Sequence, residues 1–191
     1  MADRFEQAVG RMAEINALDP NRLGGRPKEL VAAERLVEWV RRLAPDASEP
    51  LRLAAHCQHV ARFEIPRSTY PADRTGYLKW RKRLAQLHAE RSGEILTAVG
   101  YDAATIAAVA RINLKQARRD NPDTQTMEDA LSLSFLEHEF ADFCEKHSDD
   151  EIIGIVQKTW NKMSQRVQEL ALGLTLTGRA QDLLDRALAS R

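Results

Sequence analysis

The sequence has no excess of charge of either sign and no long apolar run. Its 191 residues include 28 Lys and Arg and 28 Asp and Glu, so no overall field attracts the chain to nucleic acid or to an anionic membrane. The longest apolar runs are too short to span a bilayer, and the amino end lacks the apolar segment of a secretory signal. We therefore expect no membrane partner, and we expect any affinity for anions to come from a local cluster of residues.

Cysteine is scarce, with only Cys57 and Cys144 in the chain, which is too few for a disulfide framework. Both residues lie in apolar helical patterns, so we expect reduced and buried thiols. Reduced thiols of this kind are typical of intracellular proteins. The sequence therefore predicts a cytoplasmic location.

Alternation of apolar and polar residues, which would indicate strands, is also absent. Apolar residues instead recur at helical spacing, and short connections with Pro, Gly or a capping Ser separate them. With 43% apolar residues the chain can bury one sizeable core. We predict an all-α single domain of about seven or eight helices, with an N-terminal helix and loop (1–26), a core (27–146) and C-terminal helices (147–191). The predicted helices cover residues 5–18, 27–44, 49–63, 77–99, 102–118, 124–146, 149–174 and 179–189.

The segment "HCQH" is the first candidate for chemistry. His56 and His59 are three residues apart, so they share a face of a continuous helix, and neutral imidazoles at that spacing can bind one metal ion. Such a pair is equally typical of ordinary hydrogen-bonded histidines, which is our interpretation of His56. For His59 both roles stay open. His88 lies beside the apolar face of a long helix, a position that by itself indicates a structural histidine.

Two acids begin the strongly apolar helix in "TMEDALSLSFLEHEF". Glu128 and Asp129 near a helix start oppose the helix dipole, which is sufficient as a structural explanation. An acid in so apolar a helix can also point into the interior of a bundle. An interior carboxylate requires a partner or a metal ion, so Asp129 is a candidate ligand.

A basic and aromatic segment extends over residues 62–83. Arginine side chains bind phosphate or carboxylate oxygens through paired N–H groups. Arg62 and Arg67 flank a proline turn, and we interpret them as ligand-binding, whereas Lys82 and Arg83 are typical of a solvated face. A second cluster, "QKTWNKMSQR", surrounds Lys158. The predicted substrate-binding residues are Arg62, Arg67, Tyr70, Arg81, Lys115 and Lys158.

The order of these features resembles the HD-domain superfamily of metal-dependent phosphohydrolases. The segment "LRLAAHCQHVAR" is similar to the central helix of that family, with Gln58 at its His position, His59 at its Asp position and Arg62 at its Lys position. The segment "HAERSGEILTAVGYDAATIAAVARIN" is similar to a later stretch of that family, with His88 at the family's His position. The segment "EDALSLSFL" is similar to the last motif, with Asp129 at the family's Asp position. Glu29 falls about where the first His belongs, and Asn113 where some members carry another His.

A closer resemblance covers most of residues 27–164. The segments "PKEL", "ASEPLRLAAHCQHVARFEIPRSTYP", "GYLKWRKRL", "LHAE", "VGYD", "QTMEDALSLSFLEHEF" and "KTWNKMS" are similar to a family of small proteins described only as a domain of unknown function. That resemblance implies no activity. The HD resemblance implies the fold, an HD-like helical bundle, and a reaction.

The reaction implied by the HD resemblance depends on a divalent transition metal. Zinc, manganese or iron would suit a mixed set of nitrogen and oxygen ligands and would lower the pKa of a bound water to generate a nucleophile. Arg62 would hold the phosphate, and Glu128 or Glu29 would accept a proton. We predict a divalent-metal-dependent phosphohydrolase that acts on a small phosphorylated metabolite or nucleotide. The implied ligands are Glu29, Gln58, His59, His88 and Asp129, and the implied catalytic residues are Glu128 and Arg62.

Gln58 and His59 depart from the HD motif, so other functions stay open. The first alternative is a non-catalytic HD-like module that binds an anionic ligand or a protein partner. A second is an enzyme that uses His59 or His88 as general acid or base without a metal. The aromatic and basic segment also permits binding of single-stranded nucleic acid, but the zero net charge opposes it. The sequence predicts no particular oligomeric state.

Overall fold

A computed structural model of the chain describes residues 3–117 and 120–189. Over these residues the fold is all-helical, as predicted, with ten α-helices and one small two-stranded sheet. No described helix combines the length and the apolar character needed to cross a membrane. The elements are α1 (Arg4–Ala17), β1 (Arg22–Leu23), β2 (Arg26–Pro27), α2 (Lys28–Leu43), α3 (Glu49–Cys57), α4 (Arg74–Ala98), α5 (Ala103–Asn113), α6 (Pro122–His138), α7 (Phe140–Cys144), α8 (Asp149–Trp160), α9 (Gln165–Leu172) and α10 (Gly178–Ala189).

The chain packs as two compact units, Met1–Thr124 and Gln125–Arg191. The first contains β1, β2 and α1 to α5, and the second contains most of α6 together with α7 to α10. The boundary falls inside α6, whereas we expected subdivisions at residues 26 and 146. That the whole chain forms one domain stays a prediction.

A hairpin follows α1 in a segment where we expected a loop. Arg22 pairs with Pro27 in antiparallel register, and Gly24 and Gly25 form the turn with φ angles of 56° and 80°. Glycine adopts these left-handed angles without steric cost, which is why Gly-Gly is favoured in two-residue hairpin loops. The expectation that the chain has no strand was wrong here, because alternation cannot be recognised in strands of two residues.

Helix α3 ends at Cys57, earlier than the predicted end at residue 63. Ala61 then adopts a left-handed φ of 58°, which costs a residue with a side chain about 1–2 kcal/mol. The buried Asn16 helps to hold this turn, since its Oδ1 accepts the Ala61 N–H at 3.2 Å. His56 and His59 therefore do not share a helix face, and our interpretation of their spacing was wrong.

Two predicted helices are each divided into two. The expected helix over residues 124–146 corresponds to α6 and α7, separated at Glu139, and that over 149–174 corresponds to α8 and α9. Ser164 is the N-cap of α9. Apolar periodicity continues across both interruptions, so the sequence pattern does not reveal them. The end predicted for α5, residue 118, lies outside the described residues, and α5 itself ends before it.

Helix α4 is the longest element, and it carries the aromatic and apolar support of the candidate site. Trp80 and Leu84 pack with the buried Ala61 of the strained turn, and Tyr70 packs against this cluster from the proline loop. The indole Nε1 of Trp80 donates to the Ile65 carbonyl at 2.8 Å. These contacts hold the chain segment after α3 against the middle of α4.

Candidate functional site

The turn after α3 and the middle of α4 bring two histidines together. The ring centroids of His59 and His88 are 6.1 Å apart, with an angle of 66° between the ring planes. The Nδ1–H of His88 donates to the Val60 carbonyl at 2.8 Å, because a carbonyl oxygen can only accept. In the neutral ring, Nε2 of His88 is therefore the nitrogen with an available lone pair.

Both histidines are held neutral near pH 7. Burial lowers the pKa of His88 to about 4, against the opposing effect of its hydrogen bond to Val60, and the charge of Arg62 lowers it further. Burial also lowers the pKa of His59 well below 6.5, and nearby positive charges add to this effect. The positively charged side chains that lower the pKa of His59 are those of Arg62, Lys115 and Arg81.

Arg62 connects this histidine pair to a buried carboxylate at the start of α2. Its Nε lies 3.7 Å from Oε1 of Glu29, whose side chain is only 8% exposed. Its guanidinium also lies over the Trp80 ring, 5.2 Å from the ring centroid. Asp19, which is fully buried, accepts the backbone N–H of Glu29 at 3.0 Å. The first turn of α2 is therefore anchored where it presents Glu29 to Arg62.

Arg62, Arg81 and Lys115, three of the predicted substrate-binding residues, thus all lower the pKa of one histidine through their charge. The guanidinium of Arg67 is engaged in another contact. The guanidinium of Arg67 donates to the carbonyls of Tyr70 at 2.9 Å, Pro71 at 2.7 Å and Asp73 at 3.4 Å. These bonds give Arg67 a structural role in the proline loop. A role in substrate binding for Arg67 or Tyr70 stays a prediction.

The second unit contains the remaining predicted residues. Oδ1 of the buried Asp129 accepts the backbone N–H of Ser164 at 2.9 Å and the side-chain amide of Gln125 at 3.0 Å. Lys162 Nζ lies 3.5 Å from Oε1 of the buried Glu128. The carboxylate of Asp129 therefore satisfies a backbone N–H at the start of α9. Lys158 is exposed on α8.

The predicted metal ligands are distributed over both units. Glu29, Gln58, His59 and His88 belong to the first unit and Asp129 to the second, so a site shared by all five stays a prediction. Over residues 3–117 and 120–189, no group of three or more His, Cys, Asp or Glu side chains is placed to hold a metal ion.

Sequence reasoning missed several residues that support the site. Asn16 lies four residues after Met12 on the buried side of α1, so a polar residue within the buried stripe was an available signal. Asp19 begins an Asp-Pro-Asn turn, a pattern in which the Asp side chain commonly accepts backbone N–H groups. The ring of His56 packs edge-on against Phe5 at 5.9 Å, and a purely structural role for His56 stays a prediction.

Comparison with known proteins identifies the family of this chain. Residues 6–184 match the family described as "Domain of unknown function (DUF4202)", and the chain belongs to that family. No curated protein and no solved structure matches the chain. The closer of the two sequence resemblances is thereby confirmed, and the proposals that follow depend on the site geometry.

Proposed function

We propose that the first unit binds a small phosphorylated ligand at the basic cluster formed by Arg62, Arg81 and Lys115 around His59. The observation that carries this proposal is the convergence of three cationic side chains on one buried, neutral histidine. Several positive charges near one another favour an anion, and a partly buried setting strengthens that attraction relative to water. Neutral His59 can donate to or accept from the ligand, and Nε2 of His88 can accept from it, without adding charge.

We also propose that the helices form an HD-like module in which this basic cluster takes the place of the catalytic centre. The order of the chain supports the proposal, with His59 after α3, His88 in α4 and Asp129 in α6. Gln58 and His59 stand where that superfamily has its His-Asp pair.

We propose a cytoplasmic location, which is supported by two buried cysteines that form no disulfide.

A metal-dependent phosphohydrolase is the second candidate, favoured by the orientation of His88. Metal-bound histidines commonly donate their second ring nitrogen to a carbonyl, as His88 does to Val60. The other residues of the first unit do not fit a metal ion, because Arg62 lies beside Glu29 and repels a divalent cation. Elemental analysis of protein purified without a histidine tag tests this candidate, and about one zinc, manganese or iron per chain would support it.

The binding proposal is tested by titrating the full chain with inorganic phosphate and ethyl phosphate by calorimetry. Arg81 and Lys82 are adjacent exposed cations on α4, but of these two only Arg81 lowers the pKa of His59. We expect Arg81→Gln to weaken phosphate binding several-fold and Lys82→Gln to leave it nearly unchanged. Equal effects of the two variants, or no binding of either phosphate by the unaltered protein, would contradict the proposal.

A further inference from the structure

Two buried side-chain amides, in the chain segments that carry His59 and Lys115, have oxygens with no hydrogen-bond partner among the described residues. They are Oε1 of Gln58 and Oδ1 of Asn113, in residues that are 6% and 3% exposed. A buried acceptor left without a donor costs about 1–3 kcal/mol. An atom of this kind in a folded protein requires an explanation, such as a ligand or an ordered water.

The orientation of the Asn113 amide follows from its contact with Cys57. The thiol proton of Cys57 is directed at the Ala54 carbonyl, 3.7 Å away, so the sulfur can only accept from Asn113. The Nδ2 group of Asn113 accordingly donates to Cys57 Sγ at 3.1 Å. Burial raises the pKa of Cys57 to about 11, so the thiol keeps its proton near neutral pH. The Oδ1 atom of Asn113 therefore faces away from the sulfur.

Both amides belong to the elements that carry the basic cluster. Gln58 immediately precedes His59 in the turn after α3, and Asn113 is the last residue of α5. Lys115, which acts on His59, follows Asn113 by two positions. The contact between Asn113 and Cys57 ties the end of α5 to the end of α3. The segments that carry Arg62 and Lys115 thus also carry two hydrogen-bond acceptors that the described residues leave unused.

We propose that the anion bound at this cluster also carries hydroxyl groups that donate to Gln58 and Asn113, one hydroxyl to each amide oxygen. This inference rests on the proposed function and narrows its ligand to a small hydroxylated phosphate ester, the chemistry of phosphorylated polyols and sugars. A hydroxyl matches because it is a neutral donor. An ammonium group would be repelled by Arg62, Arg81 and Lys115, and an aliphatic group would leave both oxygens without a donor.

The test compares ligands that differ in one group. Ethyl phosphate, 2-hydroxyethyl phosphate and 2-aminoethyl phosphate have similar sizes and end in a methyl, a hydroxyl and an ammonium group. We expect calorimetry on the full chain to show that 2-hydroxyethyl phosphate binds about tenfold more tightly than ethyl phosphate, as one hydrogen bond to a buried acceptor would give. The ammonium compound is expected to bind no more tightly than ethyl phosphate.

Two substitutions assign this preference to the amides. Gln58→Met and Asn113→Leu keep the size of each side chain and remove the acceptor oxygen. We expect each variant to bind ethyl phosphate with unchanged affinity, and the variant that lacks the acceptor of the hydroxyl proton to lose most of its preference for the hydroxyl compound. Gln58→Met breaks no hydrogen bond that Oε1 makes within the protein, so it is expected to fold and to melt at the same or a higher temperature. If Asn113→Leu does not fold, the comparison of the three esters on the unaltered protein still decides the test.

The possible results distinguish a failure of the hydroxyl preference from a failure of the proposed anion site. Equal binding of ethyl and 2-hydroxyethyl phosphate would overturn the hydroxyl preference and leave the anion site intact. Tighter binding of 2-aminoethyl phosphate would overturn the choice of a neutral donor. If neither inorganic phosphate nor any of the esters binds, the anion site itself is wrong, and the preference falls with it.

Discussion

The imidazole of His88 and the carbonyl of Val60 form a buried hydrogen bond, with Nδ1 and the oxygen 2.8 Å apart. The bond fixes which ring nitrogen carries the proton, because the carbonyl offers only an acceptor. Burial meanwhile lowers the pKa of His88 to about 4, so the ring is neutral near pH 7. One contact between α4 and the turn after α3 thus sets both the tautomer and the direction of a histidine at the candidate site.

His88 is expected to make the fold sensitive to acid. Its pKa is about 4 in the folded chain and near 6.5 in an unfolded one, so between these values the unfolded state binds more protons. Stability from this group is therefore complete above about pH 6.5 and falls as the pH decreases toward 4. The full loss is about 3 kcal/mol. Urea unfolding near pH 7 and near pH 5 measures the part of this loss that develops above pH 5, about 2 kcal/mol.

The matched variant for this prediction is His88→Asn, whose amide can still donate to the Val60 carbonyl but does not titrate. We expect a smaller loss of stability on acidification in this variant. Some acid sensitivity remains because burial and the charge of Arg52 also lower the pKa of His56 to about 4. An unchanged loss in His88→Asn would show that His88 does not contribute.

Arg67 is expected to stabilise the proline loop. Its guanidinium donates to three carbonyls between Tyr70 and Asp73, a geometry that a single ammonium group cannot reproduce. Arg67→Lys should lower the free energy of unfolding by about 1–2 kcal/mol and accelerate amide hydrogen exchange in the loop. Arg74→Lys, a few residues away and exposed, is the control. Equal stability of the two variants would exclude this role.

Glu29 and Arg62 are expected to be energetically coupled. The carboxylate is buried and the arginine Nε lies 3.7 Å from it. Arg62→Met keeps an apolar side chain over Trp80 but removes the positive charge beside that carboxylate. In a double-mutant cycle with Glu29→Gln, urea unfolding should give a coupling of about 1–2 kcal/mol. Strictly additive effects would show that the two side chains do not interact in solution.

Asp129 is expected to stabilise the start of α9 through its oxygen and not through its charge. Oδ1 accepts from Ser164 and Gln125, and an asparagine can keep that oxygen in place. Asp129→Ala should lower the free energy of unfolding by about 1–2 kcal/mol, whereas Asp129→Asn should cost less. Thermal unfolding measures both. If Asp129 instead binds a metal, Asp129→Asn will lose the ion and destabilise the chain as much as Asp129→Ala does.

Sequence patterns predicted the helices better than the contacts within the site. The predicted helix starts at residues 49 and 149 are those of α3 and α8, and the predicted end at residue 99 lies one residue beyond the end of α4, because capping depends on residues close in sequence. The strained turn at Ala61 was not foreseen, since an alanine with left-handed φ has no local signal. The distant Asn16 helps to hold this turn by accepting the Ala61 N–H.

The amino-acid sequence by itself determined the helical class, the reduced cysteines and the groups available for chemistry, since each follows from composition and short-range periodicity. Only the tertiary structure decided which groups meet. Packing α4 against the turn after α3 joined His88 to Val60 and His59, and it left Arg67 bound to its own loop. Such pairings depend on burial and on contacts between residues far apart in the chain, which no local pattern encodes.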